Sequence, residues 1–225
     1  MIVREFEPAF VEAAVLAALR TPRDERAFHA ERDPLYALVE ADLREAAFAA
    51  LHARWFARLG PERPLRQGLD ERPVIEARCA RCVVVRAPVG RGEMADLLVS
   101  SAGAPHLLLR LRPQTLAAPE PALALLRREL LHAADMLDPG FGYEPRVPWE
   151  EATAHVRAAR YRVLWDAYVD GRLVREGRAP SARRAERLSE FRRAFPALGD
   201  GAEAAFERFF AGDESTHAGL IAFAR

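Results

Sequence analysis

The segment RRELLHAADML, residues 127–137, carries ionisable side chains at helical spacing. Arg128, His132 and Asp135 are three or four positions apart, so an α-helix places them on one face, with Glu129 at its margin. A carboxylate can take a proton from water, and an imidazole can bind a metal ion. The spacing therefore predicts a hydrolytic metal site or a cluster of ion pairs.

The opposite side of the same predicted helix is apolar and is expected to pack against a core. It consists of Leu123, Leu126, Leu130, Ala133 and Leu137. An amphipathic helix with a charged outer face is common in globular proteins, and a short motif arises easily by chance. An ordinary surface helix is therefore a competing interpretation of RRELLH.

One residue separates RELLH from the H-E-x-x-H pattern of zinc-binding helices. In that pattern two histidines bind one metal, and the glutamate takes a proton from the metal-bound water. Glu129 and His132 occupy two of the three positions, whereas Arg128 replaces the first histidine. A guanidinium has no lone pair and stays protonated, so it cannot be a ligand. We expect Arg128 to impair the ordinary zinc mechanism and to pair with Glu129, Asp135 or another acid.

The remaining elements follow from hydrophobic periodicity and from proline and glycine signals. Helices are predicted at about 8–20, 34–58, 120–137, 148–170, 181–195, 200–211 and 214–224, with a loop at 60–73. A small three-stranded sheet is predicted from segments rich in Val and Leu at 74–88, 93–101 and 105–113. Helices, a small sheet and further helices indicate a single α+β domain over residues 1–225.

Two segments resemble a group of bacterial zincin-like, metallopeptidase-related proteins. They are RRELLHAADMLDPGFGYEP (127–145) and RYRVLWDAYVDGRLVREG (160–177), and the resemblance covers about residues 93–177. It implies a zincin-like fold, in which a strand and a short turn precede the motif helix. It also implies a zinc-dependent hydrolase, with a peptide or protein as substrate.

The resemblance also implies roles for individual residues. Glu129 would be the general base, and His132 with Asp166 would hold the zinc. Asp135 is the alternative ligand, and Tyr143 is a candidate oxyanion donor that competes with a role in capping the core.

Because the first histidine is missing, His155 is the nearest candidate in sequence for a compensating ligand. Asp170, one turn after Asp166, is a candidate partner that hydrogen-bonds to a metal ligand and fixes its orientation.

Two alternatives remain open. In the first, the protein keeps the zincin-like fold as a non-catalytic scaffold or interaction protein. Arg128 then fills the former metal-binding cleft and forms salt bridges there. In the second, the pairs Glu129–His132 and Glu214–His217 contribute to a di-iron carboxylate site. The strands fit a di-iron bundle poorly, and Asp213 as N-cap would leave His217 on the first turn of its helix.

Composition argues against several partners. The formal net charge is zero, and the arginines of residues 172–193 alternate with glutamates, which predicts a solvated face and no nucleic-acid site. The N-terminus does not resemble a signal peptide, and no apolar run is long enough to span a membrane, so a cytoplasmic protein is expected. Cys79 and Cys82 form a lone C-x-x-C in a strand-like run and are expected to be buried structural residues.

Overall fold

The computed structural model describes residues 2–90, 92–98, 103–146, 151–212 and 215–225. Within these ranges the chain is mostly helical and contains a small four-stranded sheet, which confirms the α+β class. The chain divides into two compact units, Met1–Leu123 and Ala124–Arg225, and the boundary falls inside a helix. The single-domain organisation stays a prediction.

The sheet lies in the first unit and is mixed. Its strands are β1 (Val3–Phe6), β2 (Arg81–Arg86), β3 (Met94–Leu98) and β4 (His106–Leu111), in the order β1-β2-β4-β3. Strands β1, β2 and β4 are parallel, whereas β3 pairs with β4 in the antiparallel direction. The sequence does not signal β1, because a four-residue strand with two charged residues has too little apolar alternation.

The described residues of the first unit also form five complete α-helices. They are α1 (Pro8–Ala18), α2 (Pro22–Arg32), α3 (Ala41–Leu59), α4 (Arg63–Asp70) and α5 (Pro73–Arg78). Helix α4 replaces most of the predicted loop, and α5 replaces the start of the first predicted strand. Proline explains both errors: Pro64 and Pro73 lie in the first turn of their helices, where a missing N–H has no cost.

Helix α6 (Pro119–Leu137) crosses the boundary between the units, and the segment 127–137 belongs to the second. The other helices of that unit are α7 (Ala154–Arg175), α8 (Arg184–Ala194), α9 (Ala202–Phe210) and α10 (His217–Ala224). All were predicted, with shifted ends; the predicted starts near 148 and 214 lie outside the described residues. Helix α7 is central in this unit, because α8, α9 and α10 all pack against it.

The two cysteines are buried and free, as expected for structural residues. Cys82 lies in β2, but Cys79 follows the last residue of α5 and is not part of a strand. Burial raises the pKa of the Cys79 thiol to about 11 and that of the Cys82 thiol to about 12. Both side chains are therefore unreactive thiols at neutral pH.

No helix of the described ranges combines the length and the apolar character that crossing a membrane requires.

Candidate functional site

Helix α6 buries Glu129, His132 and Asp135 and leaves Arg128 half-buried. The exposed fraction is 3% for Glu129, 8% for His132 and 3% for Asp135. The apolar back of the helix is buried as well, including Leu126 and Leu130. The interpretation as an ordinary surface helix is therefore wrong. Buried ionisable groups need partners, because an isolated charge is costly away from water.

Arg128 pairs with the neighbouring acid. Its Nη2 donates to Oε1 of Glu129 at 2.6 Å, and its Nε donates to the same oxygen at 3.0 Å. The Nε of Arg128 also lies 3.9 Å from Oδ1 of Asp166. The expected pairing of Arg128 with Glu129 is confirmed, and Asp135 has a different cation as its partner.

His132 and Asp166 join α6 to α7. With the proton on Nε2, the His132 ring donates to Oδ1 of Asp166 at 3.0 Å. The ring also meets Trp165 edge to face, with centroids 4.6 Å apart. These contacts fix the imidazole between the two helices. The structure thus brings together two predicted metal ligands, but as hydrogen-bond partners of each other.

The electrostatic surroundings of Asp166 favour its charged form. Burial alone would raise the pKa of this carboxyl, but the hydrogen bond and charge of His132, together with Arg128 and Arg187, lower it to about 2. The Nη1 of Arg187 lies 3.6 Å from Oδ2 of Asp166. Asp166 is therefore an anion at neutral pH, shared by three cationic or hydrogen-bond-donating side chains.

Arg187 of α8 is a second cation of this network. It is only 5% exposed, and its Nε donates to Oδ2 of Asp170 at 2.6 Å, while its Nη1 donates to Glu190 at 2.8 Å. Burial would lower the pKa of Arg187, but Asp166 and Asp170 raise it above its ordinary value. The prediction that residues 172–193 form a solvated face is therefore wrong at Arg187.

Asp170 is fully buried one turn after Asp166. Besides Arg187, it accepts hydrogen bonds from the backbone N–H of Ser181 at 2.9 Å and from the Ser181 hydroxyl at 3.1 Å. The Nη2 of Arg187 donates to the same hydroxyl at 3.1 Å. Asp170 therefore anchors Arg187 and the segment before α8, and Arg187 in turn faces Asp166.

Asp135 forms a separate pair. The indole Nε1 of Trp165 donates to Oδ2 of Asp135 at 2.9 Å, and Nη1 of Arg172 donates to Oδ1. Burial would lower the pKa of Arg172, but Asp135 raises it. A cavity of about 320 Å³ adjoins Asp135, Arg172 and Tyr168. The alternative zinc ligand is thus held by a guanidinium and an indole.

Tyr143 belongs to an aromatic cluster. Its ring lies 5.6 Å from that of Trp165 and 5.2 Å from that of His217. The Tyr161 hydroxyl and Nδ1 of His217 share a hydrogen bond of 2.7 Å, and burial raises the pKa of Tyr161 and lowers that of His217. The ring of Tyr143 therefore packs against the core, whereas its role as an oxyanion donor stays a prediction.

The second predicted E-x-x-H pair lies partly outside the described residues, because Glu214 and Asp213 are not among them. His217 is the first residue of α10, and its N-cap is Thr216, whose hydroxyl accepts from the Gly219 N–H at 3.1 Å. His155, the candidate for a compensating ligand, is exposed in the first turn of α7. In the part of the chain that the structure describes, no hydrogen bond, ion pair or ring contact joins either histidine to His132.

The arranged side chains do not fit a zinc ion. Among the described residues, no group of three or more His, Cys, Asp and Glu side chains is placed to hold a metal. The proton that His132 donates to Asp166 occupies the nitrogen that faces the carboxylate, and Arg128 holds Glu129. Zinc would have to displace both contacts before it could bind here.

Sequence reasoning missed three members of the site. Arg172, Arg187 and Trp165 each contact a predicted site residue. The signal for Trp165 was its position next to Asp166 in LWDAYVD, but nothing local distinguishes Arg187 from the exposed arginines beside it. Only the packing of α8 against α7 selects it.

Comparison with known proteins found no matching family model, no matching curated protein and no matching solved structure. The zincin-like resemblance and the activity that it implies therefore remain proposals.

Proposed function

We propose that this chain is a zincin-like protein in which an ion-pair network replaces the metal centre, and that it serves as a non-catalytic scaffold. The observation that carries the proposal is the position of Arg128. Its guanidinium holds Glu129, the residue that would be the general base, at 2.6 Å. Both donors of Arg128 reach the same carboxylate oxygen, Oε1, so that oxygen is already engaged and is not open to a water molecule.

The other expected catalytic groups are engaged in the same way. His132 donates to Asp166, and Asp135 accepts from Arg172 and Trp165. Each carboxylate thus has a cation or a donor where a zincin would have a metal. A guanidinium with its fork of donors satisfies such buried carboxylates without any metal.

The chain order also supports the zincin-like part of the proposal. Strand β4 ends at Leu111, a short segment with Pro113 follows, and α6 begins at Pro119. This is the order of strand, turn and motif helix that the resemblance implies. The network joins α6 to α7, which carries the second segment of the resemblance.

Metal-dependent hydrolysis of a peptide or protein is the competing proposal. It requires zinc to displace Arg128 from Glu129 and the His132 proton from Asp166. The same experiment decides between the two.

The test measures zinc content by inductively coupled plasma mass spectrometry after incubation with zinc and gel filtration. The proteins are wild type, Arg128→His, His132→Ala and the matched control Arg127→His, which moves the new imidazole by one position on the helix. We expect little zinc in wild type and in Arg127→His. We expect about one zinc per chain in Arg128→His, because that change restores the H-E-x-x-H ligand pair.

About one zinc per wild-type chain, lost in His132→Ala and accompanied by cleavage of a casein substrate, would overturn the scaffold proposal. The same zinc content in Arg128→His and Arg127→His would indicate unspecific binding and would contradict a disarmed zincin site. Absence of zinc in all four proteins would contradict the zincin-like ancestry of the site.

A further inference from the structure

The first unit contains a cavity of about 880 Å³ between α1, α2 and α3. This volume lies within the range of pockets that hold small organic molecules. The cavity is lined by apolar and aromatic residues together with a few polar groups. All of its lining residues precede Leu123, so it belongs to the first unit alone and is separate from the ion-pair network.

A row of rings forms one wall of the cavity. The ring of His52 stacks between Phe28 and Phe48, with centroid distances of 5.8 Å and 6.4 Å. Tyr36 meets Phe48 edge to face at 5.1 Å. The Arg32 guanidinium already lies over the rings of Phe28 and Tyr36, at 6.0 Å and 5.7 Å from their centroids, so the wall offers a ligand mainly apolar surface.

Two carboxylates lie among the lining residues. Glu12 on α1 and Glu45 on α3 are exposed, and neither forms a hydrogen bond or an ion pair with another described residue. The cationic lining residue, Arg32, is already engaged, because its Nη2 lies 2.7 Å from Oδ1 of Asp33. The uncompensated charge at this cavity is therefore negative.

His52 does not cancel this charge. Burial lowers the pKa of its imidazole, and the nearby Glu12 opposes that effect only in part. His52 is therefore mostly neutral at pH 7 and adds no positive charge to the wall. A ligand that matches the cavity needs an apolar body for the rings and a positive group for the carboxylates.

We propose that this cavity binds an amphipathic organic cation, a molecule with an aromatic or aliphatic body and an ammonium group. The body lies along Tyr36, Phe48 and His52, and the ammonium group lies between Glu12 and Glu45. An organic anion with the same body is disfavoured, because two carboxylates repel it while Arg32 is held by Asp33.

The test compares three probes that share one body: 4-phenylbutylamine, 4-phenylbutanol and 4-phenylbutanoate. Isothermal titration calorimetry at pH 7 and low salt is expected to give the tightest binding for the amine, then the alcohol, then the carboxylate. Removing both charges in Glu12→Gln/Glu45→Gln is expected to weaken amine binding by about fivefold or more, down to the level of the alcohol. Binding of the alcohol stays unchanged.

The matched control is Glu25→Gln, an exposed carboxylate of α2 that does not line the cavity. It is expected to leave all three affinities within about twofold of wild type, since distant exposed charges are screened. A second variant, Ala49→Trp, fills the cavity from α3 and is expected to abolish binding of every probe, with an unchanged circular dichroism spectrum. The glutamine variants keep the shape of the site and remain informative if the tryptophan variant misfolds.

Tighter binding of the carboxylate than of the amine would overturn the proposal and point to Arg32. Equal amine affinity in wild type and in Glu12→Gln/Glu45→Gln would overturn it as well, and so would no binding of any probe at millimolar concentration. These outcomes are independent of the zinc measurements, because no residue of α6 or α7 takes part.

Discussion

A largely buried guanidinium determines how the acids beside it are paired. Arg128 holds Glu129 in a buried ion pair. Asp166 shows the same effect from the other side, since His132, Arg128 and Arg187 all face it. Charges buried in this way stabilise the fold only while each keeps its partner.

The lowered pKa of Asp166 predicts that the free energy of unfolding decreases as the solution becomes acidic. Its folded pKa of about 2 is below the ordinary value of 3.8. A depressed folded pKa stabilises the protein fully above the unfolded pKa, and this contribution is lost as the pH falls from about 4 through 2. The loss amounts to about 2 kcal/mol. Urea unfolding between pH 2 and 6 measures it.

Two variants test this prediction. Asp166→Asn removes the carboxylate in question, and Asp200→Asn is the control. Asp166→Asn is expected to be less stable at pH 6 and to show a flatter pH profile between 4 and 2. Asp200 is exposed, so Asp200→Asn should keep the wild-type profile. An unchanged profile in Asp166→Asn would assign the acid sensitivity to other carboxylates.

Arg187 and Arg184 allow a comparison of a buried with an exposed cation on the same helix. Arg187 is 5% exposed and contacts Asp166 and Asp170, whereas Arg184 contacts Glu203 and Glu207 at the surface. We expect Arg187→Ala to lower the free energy of unfolding by about 3–5 kcal/mol, because it leaves buried carboxylates unpaired. Arg184→Ala should have a much smaller effect. Equal effects in urea unfolding would contradict the structural role of the network.

At the scale of elements, the packing of α7 against α9 depends on Gly171, which has no side chain. A Cβ on Gly171 would overlap the backbone carbonyl of Phe210 at the end of α9. Backbone atoms cannot move aside as a flexible side chain can, so the two helices would have to separate. This close approach explains why position 171 of α7 is a glycine, although alanine has the higher helix propensity.

Gly171→Ala is therefore expected to destabilise the protein by about 2 kcal/mol or more, despite the better helix propensity of alanine. Gly201→Ala is the matched control, since nothing lies near the Cβ that it adds and its φ of −75° suits any residue. Thermal unfolding should give a lower midpoint for Gly171→Ala alone. A wild-type midpoint for Gly171→Ala would mean that α7 and α9 do not approach as described.

Local signals were sufficient for several elements and misleading for others. Helix α6 was predicted at 120–137 and observed at Pro119–Leu137. The prediction succeeded because the apolar residues of this long segment fall on one side only when the segment is an α-helix. Helix α4 was missed, because the prolines and glycines of residues 60–73 equally indicate a loop. Strand β1 was missed because its pairing with β2, some eighty positions later, is a long-range property.

At the scale of the whole molecule, the chain consists of two compact units. The ion-pair network lies wholly in Ala124–Arg225, and the proposed ligand cavity lies wholly in Met1–Leu123. Regions with separate sets of contacts can open with different free energies, and amide hydrogen exchange detects such differences.

Hydrogen exchange measured by mass spectrometry can therefore test whether the units unfold independently. In Arg187→Ala we expect protection to fall in α7 and α8, while α3 in the first unit keeps the protection of wild type. The physical reason is that the unpaired carboxylates weaken only the contacts of the second unit. Arg184→Ala is the control. An equal loss of protection in α3 would indicate that the two units unfold as one.

The sequence by itself determined the α+β class, the helix that carries Arg128, Glu129 and His132, and the absence of a complete H-E-x-x-H motif. These are local properties, because helical periodicity and residue type can be read within one segment. It also indicated that Arg128 would pair with an acid, and Glu129 is that acid.

Only the tertiary structure decided which acids and cations meet. The pairings of His132 with Asp166, Asp135 with Arg172 and Asp166 with Arg187 join residues 21 to 37 positions apart. Their side chains are of the same types as many exposed Arg, Asp and Glu residues nearby, so periodicity cannot select them. Burial selects them, since a charge removed from water by helix packing is stable only beside a partner.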